Sequence, residues 1–147
     1  MRDYTKIEAW RLADDLVVHV YERTKRFPRE ETYGITSQMR RAVCSVAANI
    51  VEGSSRESQR DWLHFLYIAR GSLSETQYFV HLSRRLGYLN EVEGEMLAEE
   101  IKRTFACLHG LIRSVEKESG KLARIASKIS SFLVLASVAA WSVVRSP

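Results

Sequence analysis

Four histidines are the residues of this chain whose side chains are best suited to bind a metal or transfer a proton. A di-iron helical bundle needs a Glu-x-x-His on each of two helices together with further inward carboxylates. The nearest spacing here is a single Asp61-x-x-His64, and the sequence contains no HExxH, glycine-rich phosphate loop or GxSxG motif. We therefore predict no metal site and no cofactor. The four histidines are interpreted as surface or hydrogen-bonded side chains: His19, His64, His81 and His109.

Arg103 and His109 carry the strongest enzymatic alternative, because some small helical-bundle ribonucleases pair an arginine and a histidine a few residues apart near the active cleft. An α-helix turns by about 100° per residue, so six residues separate these two side chains by about 240°. They would share a face only if the helix were distorted. Helix packing by Phe105, Leu108 and Leu111 explains the same segment without chemistry, and we predict that the protein is not an enzyme.

A second polar constellation consists of Arg40, Arg41, Asn49, Glu52 and Glu75. Arginine and carboxylate side chains pair through charge-assisted bidentate hydrogen bonds, and asparagine can bind backbone groups across helices. We interpret these residues as a polar network between the subunits of an oligomer. The alternative is a basic surface that contacts the phosphates of nucleic acid. The arginines of that surface would be Arg40, Arg41, Arg56, Arg60 and Arg70.

The elements that must position these residues are helices, because apolar residues recur three and four apart and no strand-like alternation of useful length occurs. The pattern predicts helices over about residues 6–25, 36–53, 59–86 and 90–118. Thr36 is expected to cap the second helix, Ser58 with Asp61 the third, and Asn90 with Glu93 the fourth. Short connections between four amphipathic helices predict an all-α fold, an antiparallel up-and-down four-helix bundle.

The third predicted helix is apolar on two sides, which exceeds what one bundle core can absorb. Its first stripe comprises Trp62, Leu66, Ala69, Leu73 and Val80. A second stripe comprises Ile68, Phe79, Leu82 and Leu86, with Gly71 and Glu75 on or near it. An interior glycine destabilises a helix by about 1 kcal/mol relative to alanine, so its presence favours close helix packing at Gly71. An exposed apolar stripe favours homo-oligomerisation.

The second predicted helix also has two faces. Met39, Val43, Val46 and Ile50 form an apolar stripe that is typical of core. The opposite side mixes small and polar residues with an arginine and a glutamate. Small residues permit the close approach of another backbone, so we interpret this polar side as part of an assembly surface. The polar side comprises Arg41, Ser45, Ala48, Asn49 and Glu52.

The net charge of +4 does not belong to the predicted bundle. Up to Glu118 the 18 basic residues balance the 18 acidic ones, and the excess lies in residues 119–147. The overall charge is therefore weak evidence for nucleic-acid binding by the bundle. Cys44 and Cys107 lie in helical patterns without a second cysteine nearby, and no secretory signal pattern opens the chain. We expect reduced thiols and a cytoplasmic protein.

Residues 119–147 differ in kind, since a basic segment is followed by 16 uncharged residues at 129–144. This stretch is shorter than the roughly 20 residues that span a membrane. We predict one domain at 1–118 and a C-terminal extension at 119–147, either an added helix or a disordered tail. Membrane contact through 129–144 is the alternative.

The polar residues above also belong to a longer ordered pattern. It includes Tyr33-Gly34-Ile35-Thr36, Gln38, Arg40-Arg41-Ala42, Ser45, Asn49-Ile50, Glu52-Gly53, Arg70-Gly71-Ser72-Leu73 and Glu75. Trp10, Phe27-Pro28 and Leu86-Gly87-Tyr88-Leu89 extend it. Over about residues 4–118 the chain resembles the small bacterial four-helix bundle proteins encoded within 23S rRNA intervening sequences. It departs from that pattern in the 119–147 extension, and in Val46-Ala47 where a proline-containing sequence is common.

This resemblance implies a ring-like homopentamer without catalytic activity. It also implies a relationship to the accessory variability determinant of diversity-generating retroelements, which binds nucleic acid and a reverse transcriptase. We predict a non-enzymatic pentameric scaffold or adaptor whose partners are further copies of itself, RNA or DNA, and a protein such as a reverse transcriptase. The alternatives are a protein–protein adaptor that binds no nucleic acid, and a ribonuclease that uses Arg103 and His109. The expected interface residues are Arg40, Arg41, Asn49, Glu52, Gly71, Glu75 and Phe79.

Overall fold

The computed structural model describes the backbone of residues 2–144 and the side chains of residues 2–121. Its helices are α1 (Glu8–Thr24), α2 (Ile35–Ser54), α3 (Gln59–Arg85) and α4 (Glu91–Val144). Short 3-10 turns at Tyr4–Lys6 and Arg29–Glu31 precede α1 and α2. Each helix packs against the next one in the chain, and α4 also packs against α1. The predicted all-α four-helix bundle is confirmed.

Local capping explains where α3 and α4 begin. The backbone N–H of Asp61 donates to Ser58 Oγ at 3.0 Å, and the N–H of Glu93 donates to Asn90 Oδ1 at 2.9 Å. Gly87 follows α3 with a φ of +74°, a left-handed conformation that glycine adopts without strain. Both predicted capping pairs are therefore confirmed.

The predicted cap at Thr36 is wrong. Helix α2 begins at Ile35, and its N-cap residue, Gly34, has no side chain to offer a hydrogen bond. The carboxylate of Glu31 accepts the Ile35 N–H at 3.0 Å instead. Thr36 lies inside the first turn and its side chain is buried. Glu31, four positions before Ile35, thus caps the helix in place of the Thr36 hydroxyl that the sequence predicted.

The core lies on the faces that the periodicity predicts. Met39, Val43, Val46 and Ile50 of α2 are fully buried. On α3 the first stripe is buried as well: Trp62, Leu66, Ala69, Leu73 and Val80. The second stripe of α3 is mixed, because Phe79 and Leu82 pack against the core while Ile68 and Leu86 are 38% and 49% exposed. Only part of that stripe is therefore available to another molecule.

Close packing at a glycine occurs at a different position from the one expected. A Cβ at Gly53, at the end of α2, would lie 2.9 Å from Phe65 Cβ and 2.9 Å from Trp62 Cδ1. A Cβ at Gly71 would meet no atom of residues 2–121 within 4 Å. Among the described residues no helix packs closely on Gly71, and contact of Gly71 with another subunit stays a prediction.

Helix α4 does not end near Glu118 as the pattern predicts, but continues to Val144. The division of the chain at residue 118 stays a prediction. Membrane contact by 129–144 lies outside the residues whose side chains are described. Within residues 2–121, no helix combines the length and apolar character needed to cross a membrane.

Candidate nucleic-acid and subunit interface

Arg40 is held in place by residues of the neighbouring helix α1. Its Nε donates a 2.8 Å hydrogen bond to Thr24 Oγ1, and its guanidinium carbon lies 4.7 Å from the centroid of the Tyr21 ring. Thr24 is buried, and its hydroxyl in turn donates to the Val20 carbonyl at 2.8 Å. The half-buried Arg40 side chain is therefore oriented by a hydrogen bond and a cation–π contact.

Tyr21 belongs to the same cluster through Cys44 of α2. The Cys44 thiol lies 3.6 Å from the Tyr21 hydroxyl and donates a hydrogen bond to it. Hydrogen bonding with the Cys44 sulfur, followed by the electrostatic interaction with Cys44 and by burial, raises the pKa of Tyr21 because all three favour the neutral phenol. The phenol consequently keeps its proton at neutral pH. Tyr21 and Thr24 recur with the apolar residues of α1 at helical spacing, so periodicity alone does not reveal these polar contacts.

Arg41 is exposed on α2 and lines two surface cavities. The first lies between α1 and α2, where Tyr21, Ser37 and Arg40 are also in its wall. The second lies between α2 and α3 and includes Glu75, which is likewise exposed. Within residues 2–121, neither Arg41 nor Glu75 forms an ion pair.

Asn49 takes part in a hydroxyl–amide network that joins α2 to α3. Its Nδ2 donates to the Ser45 carbonyl at 2.7 Å and to Ser45 Oγ at 3.0 Å. Ser45 Oγ lies 2.8 Å from Ser72 Oγ on α3. Ala48 of α2 and Gly71 of α3, both exposed, lie beside this pair in sequence and carry little or no side chain. These two positions therefore add little side-chain bulk to the surface.

The remaining predicted residues do not join that network within the chain. Glu52 forms an ion pair with Arg56 one turn along, and the Arg56 guanidinium also lies over the Phe65 ring at 4.7 Å. Arg70 lies over the Tyr67 ring at 4.9 Å. Arg60 is exposed in the first turn of α3. The five-residue polar set is thus distributed over separate contacts in one protomer, and its role between subunits stays a prediction.

Helix α3 adds apolar surface on the outside of the bundle. Tyr67, Ile68 and Tyr78 are 39%, 38% and 58% exposed. Phe79 is half-buried, and its ring centroid lies 5.7 Å from that of Tyr78. Large apolar groups with this exposure are typical of surfaces that contact other proteins when they form a contiguous patch.

The Arg103 and His109 pair of the ribonuclease alternative is not assembled into one site. Arg103 lines a cavity between α1 and α4 together with His19, Glu100 and Thr104. His19 Nδ1 lies 2.9 Å from Glu100 Oε2 in that cavity. His109 is exposed elsewhere on α4, with its ring 6.0 Å from Phe105. Among the described residues, no group of three or more His, Cys, Asp or Glu side chains is placed to hold a metal ion.

The fold and this surface define a class of protein: a small all-α bundle with polar residues on the outside of α2. The family model for the 23S rRNA-intervening sequence protein matches residues 5–110, and the chain belongs to this family.

One similar solved structure is a protein with unknown function from the S23 ribosomal protein family of Bacteroides thetaiotaomicron VPI-5482. It is 23% identical, with a TM-score of 0.66, over 71% of this chain and 97% of that one, which supports the fold. No curated protein matches the chain.

Proposed function

We propose that this protein is a non-enzymatic homopentamer that acts in the cytoplasm as a scaffold or adaptor for nucleic acid. The observation that carries the proposal is the outer surface of α2 and α3. There Arg41 has no ion-pair partner within residues 2–121, and the small exposed residues Ala48 and Gly71 accompany exposed apolar groups of α3. The first feature suits phosphate, and the second suits a further copy of the bundle.

The subunit contact is tested by Gly71→Trp. Gly71 is exposed, and a Cβ there meets no atom of the described residues within 4 Å, so the indole should project into solvent in one protomer and hold a neighbouring subunit away. Gly110→Trp is a matched control, since Gly110 is also exposed in a helix and equally open. Light scattering should give a reduced mass only for Gly71→Trp, with unchanged helical circular dichroism for both. Full assembly of the Gly71→Trp protein would remove Gly71 from the interface.

Nucleic-acid contact is tested by fluorescence anisotropy with a labelled single-stranded RNA over a salt series. Each phosphate contact contributes about 0.7 to the slope of log affinity against log salt for a single strand. Arg41→Gln should lower that slope by about this amount. Arg113→Gln, which changes an exposed arginine of α4, should leave it unchanged. Absence of RNA binding at low salt would favour the second function, a protein–protein adaptor.

The ribonuclease alternative has weaker support, because the cavity that Arg103 lines between α1 and α4 does not include His109. Incubation of labelled RNA with the wild-type protein and with His109→Ala tests it. We expect intact RNA in both samples. Cleavage that disappears in His109→Ala would contradict the non-enzymatic proposal.

A further inference from the structure

The cavity between α1 and α2 has the size and lining of an anion site. Its volume is about 340 Å³, at the lower end of the range of ligand pockets, which begins near about 300 Å³. Two arginines and several hydroxyl groups line it, and among the described residues no carboxylate does. The neighbouring cavity between α2 and α3, by contrast, includes Glu75. A net positive lining with hydroxyl groups favours a small oxyanion over a neutral or cationic ligand.

Arg40 is pre-organised for such a ligand. Its Nε is occupied by Thr24 Oγ1 at 2.8 Å, and one face of the guanidinium is covered by the Tyr21 ring. No protein atom in residues 2–121 accepts a hydrogen bond from its two terminal nitrogens. The guanidinium therefore presents its two terminal NH2 groups in a fixed plane, and the rotamer entropy of ordering the side chain has already been lost before a ligand arrives.

Two further groups face the same space. Arg41 supplies a second guanidinium, which forms no ion pair within residues 2–121. The Tyr21 hydroxyl accepts a hydrogen bond from the Cys44 thiol, so its own proton is free to form a hydrogen bond to a ligand. The nearby Glu31 carboxylate is engaged with the Ile35 N–H and with the Tyr88 hydroxyl, and it is not part of the lining.

We propose that this cavity binds one phosphate group, held by the terminal nitrogens of Arg40, by Arg41 and by the Tyr21 hydroxyl. This phosphate group could come from two sources. The first is a backbone phosphate of nucleic acid, and in that case the inference deepens the proposed function and rests on it. The other source is a free phosphate ion, which offers the same oxygens. Bidentate geometry makes the site dependent on the arginine fork and not on charge alone.

The test is a titration of the full chain with inorganic phosphate at constant ionic strength, followed through the side-chain Nε–H signals of arginine by NMR. We expect a saturable shift of the Arg40 signal in the wild-type protein. Arg40→Lys keeps the charge but loses the fork, and should weaken phosphate binding, followed by calorimetry, by about tenfold or more. Arg113→Lys is the matched control and should bind phosphate as the wild type does.

An RNA arm separates the two sources. Weaker RNA binding by Arg40→Lys than by Arg113→Lys would identify a backbone phosphate as the ligand. If phosphate binds saturably but Arg40→Lys binds RNA as Arg113→Lys does, or neither binds RNA, the ligand is a free phosphate ion. The assignment of the cavity as a phosphate site would then stand. A wild-type response to phosphate that is no larger than the response to chloride would overturn the cavity assignment, even if RNA binds elsewhere on the protein.

Discussion

Arg40 Nε on α2 donates a 2.8 Å hydrogen bond to Thr24 Oγ1 on α1, sixteen residues earlier in the chain. The same threonine hydroxyl donates to the Val20 carbonyl at 2.8 Å, so its orientation is fixed from both sides. Thr24 is 3% exposed. A buried hydroxyl on one helix therefore determines where a guanidinium on the next helix points, and it connects the core of the bundle to the proposed phosphate site.

Replacing this hydroxyl should affect stability and ligand binding together. Thr24→Val keeps the shape of the side chain but leaves Arg40 Nε without its acceptor, so we expect the free energy of unfolding to fall by about 1 kcal/mol. Affinity for RNA should fall severalfold because Arg40 is no longer oriented. Urea denaturation and fluorescence anisotropy measure the two effects.

Thr104→Val is the matched control for that experiment. Thr104 is equally buried and donates the same kind of intrahelical bond, to the Glu100 carbonyl at 2.8 Å, but no arginine of residues 2–121 donates to its hydroxyl. It should lose some stability and keep its RNA affinity. Equal RNA affinities for the two variants would mean that Thr24 does not position a nucleic-acid contact.

Glu93 connects the start of α4 to the end of α1, and this contact should make stability depend on pH. Its carboxylate forms an ion pair with Arg26 and lies 3.9 Å from Arg23 Nε. The hydrogen bond from Arg26 lowers the pKa of Glu93, and the Asn90 backbone N–H acts in the same direction. A carboxyl whose pKa is lower in the folded state stabilises the fold when it is ionised.

The contribution of Glu93 should be complete above the unfolded-state pKa of glutamate, about 4.3, and should disappear as pH falls through the lower folded-state value. We expect Glu93→Gln to be less stable than the wild type near neutral pH, and the difference to shrink on acidification. Urea denaturation over a pH series measures it. Glu95→Gln, an exposed neighbour on the same helix, is the control. A difference that stays constant with pH would contradict the ionic origin of the effect.

Two glycines should respond to alanine with opposite signs. Gly53→Ala places a methyl group 2.9 Å from Phe65 Cβ and Trp62 Cδ1, and overpacking of this kind destabilises by about 1 to 3 kcal/mol. Gly110→Ala adds a methyl group in open space, and the higher helix propensity of alanine should stabilise by up to about 1 kcal/mol. Urea midpoints give the comparison. Stabilisation by Gly53→Ala would mean that α2 and α3 can separate there at little free-energy cost.

The parts of the fold that the sequence predicted are those that local physics determines. Helical periodicity identified the buried stripe from Met39 to Ile50, and the pairs Ser58–Asp61 and Asn90–Glu93 located two helix starts. Capping pairs act over three residues, so they are visible in the sequence. The start of α2 depends instead on the more distant Glu31, which competes successfully with the adjacent Thr36.

The candidate site was less predictable, because its contacts cross between helices. The sequence singled out Arg40, Ser45 and Asn49, but it did not pair Arg40 with Thr24 or Ser45 with Ser72. A threonine inside an apolar stripe was the available signal, since a buried hydroxyl needs a partner. Gly71 differs, because an added Cβ there would meet no atom of the described residues within 4 Å, so its predicted contact with another subunit stays a prediction.

The proposed nucleic-acid-binding pentamer is tested most directly by light scattering on the full chain during gel filtration, with and without labelled single-stranded RNA. We expect a mass of five times the 16.9 kDa chain, with the RNA label eluting in the same peak at low salt and leaving it at high salt. A particle of 16.9 kDa that elutes apart from the RNA at low salt would contradict both halves of the proposal.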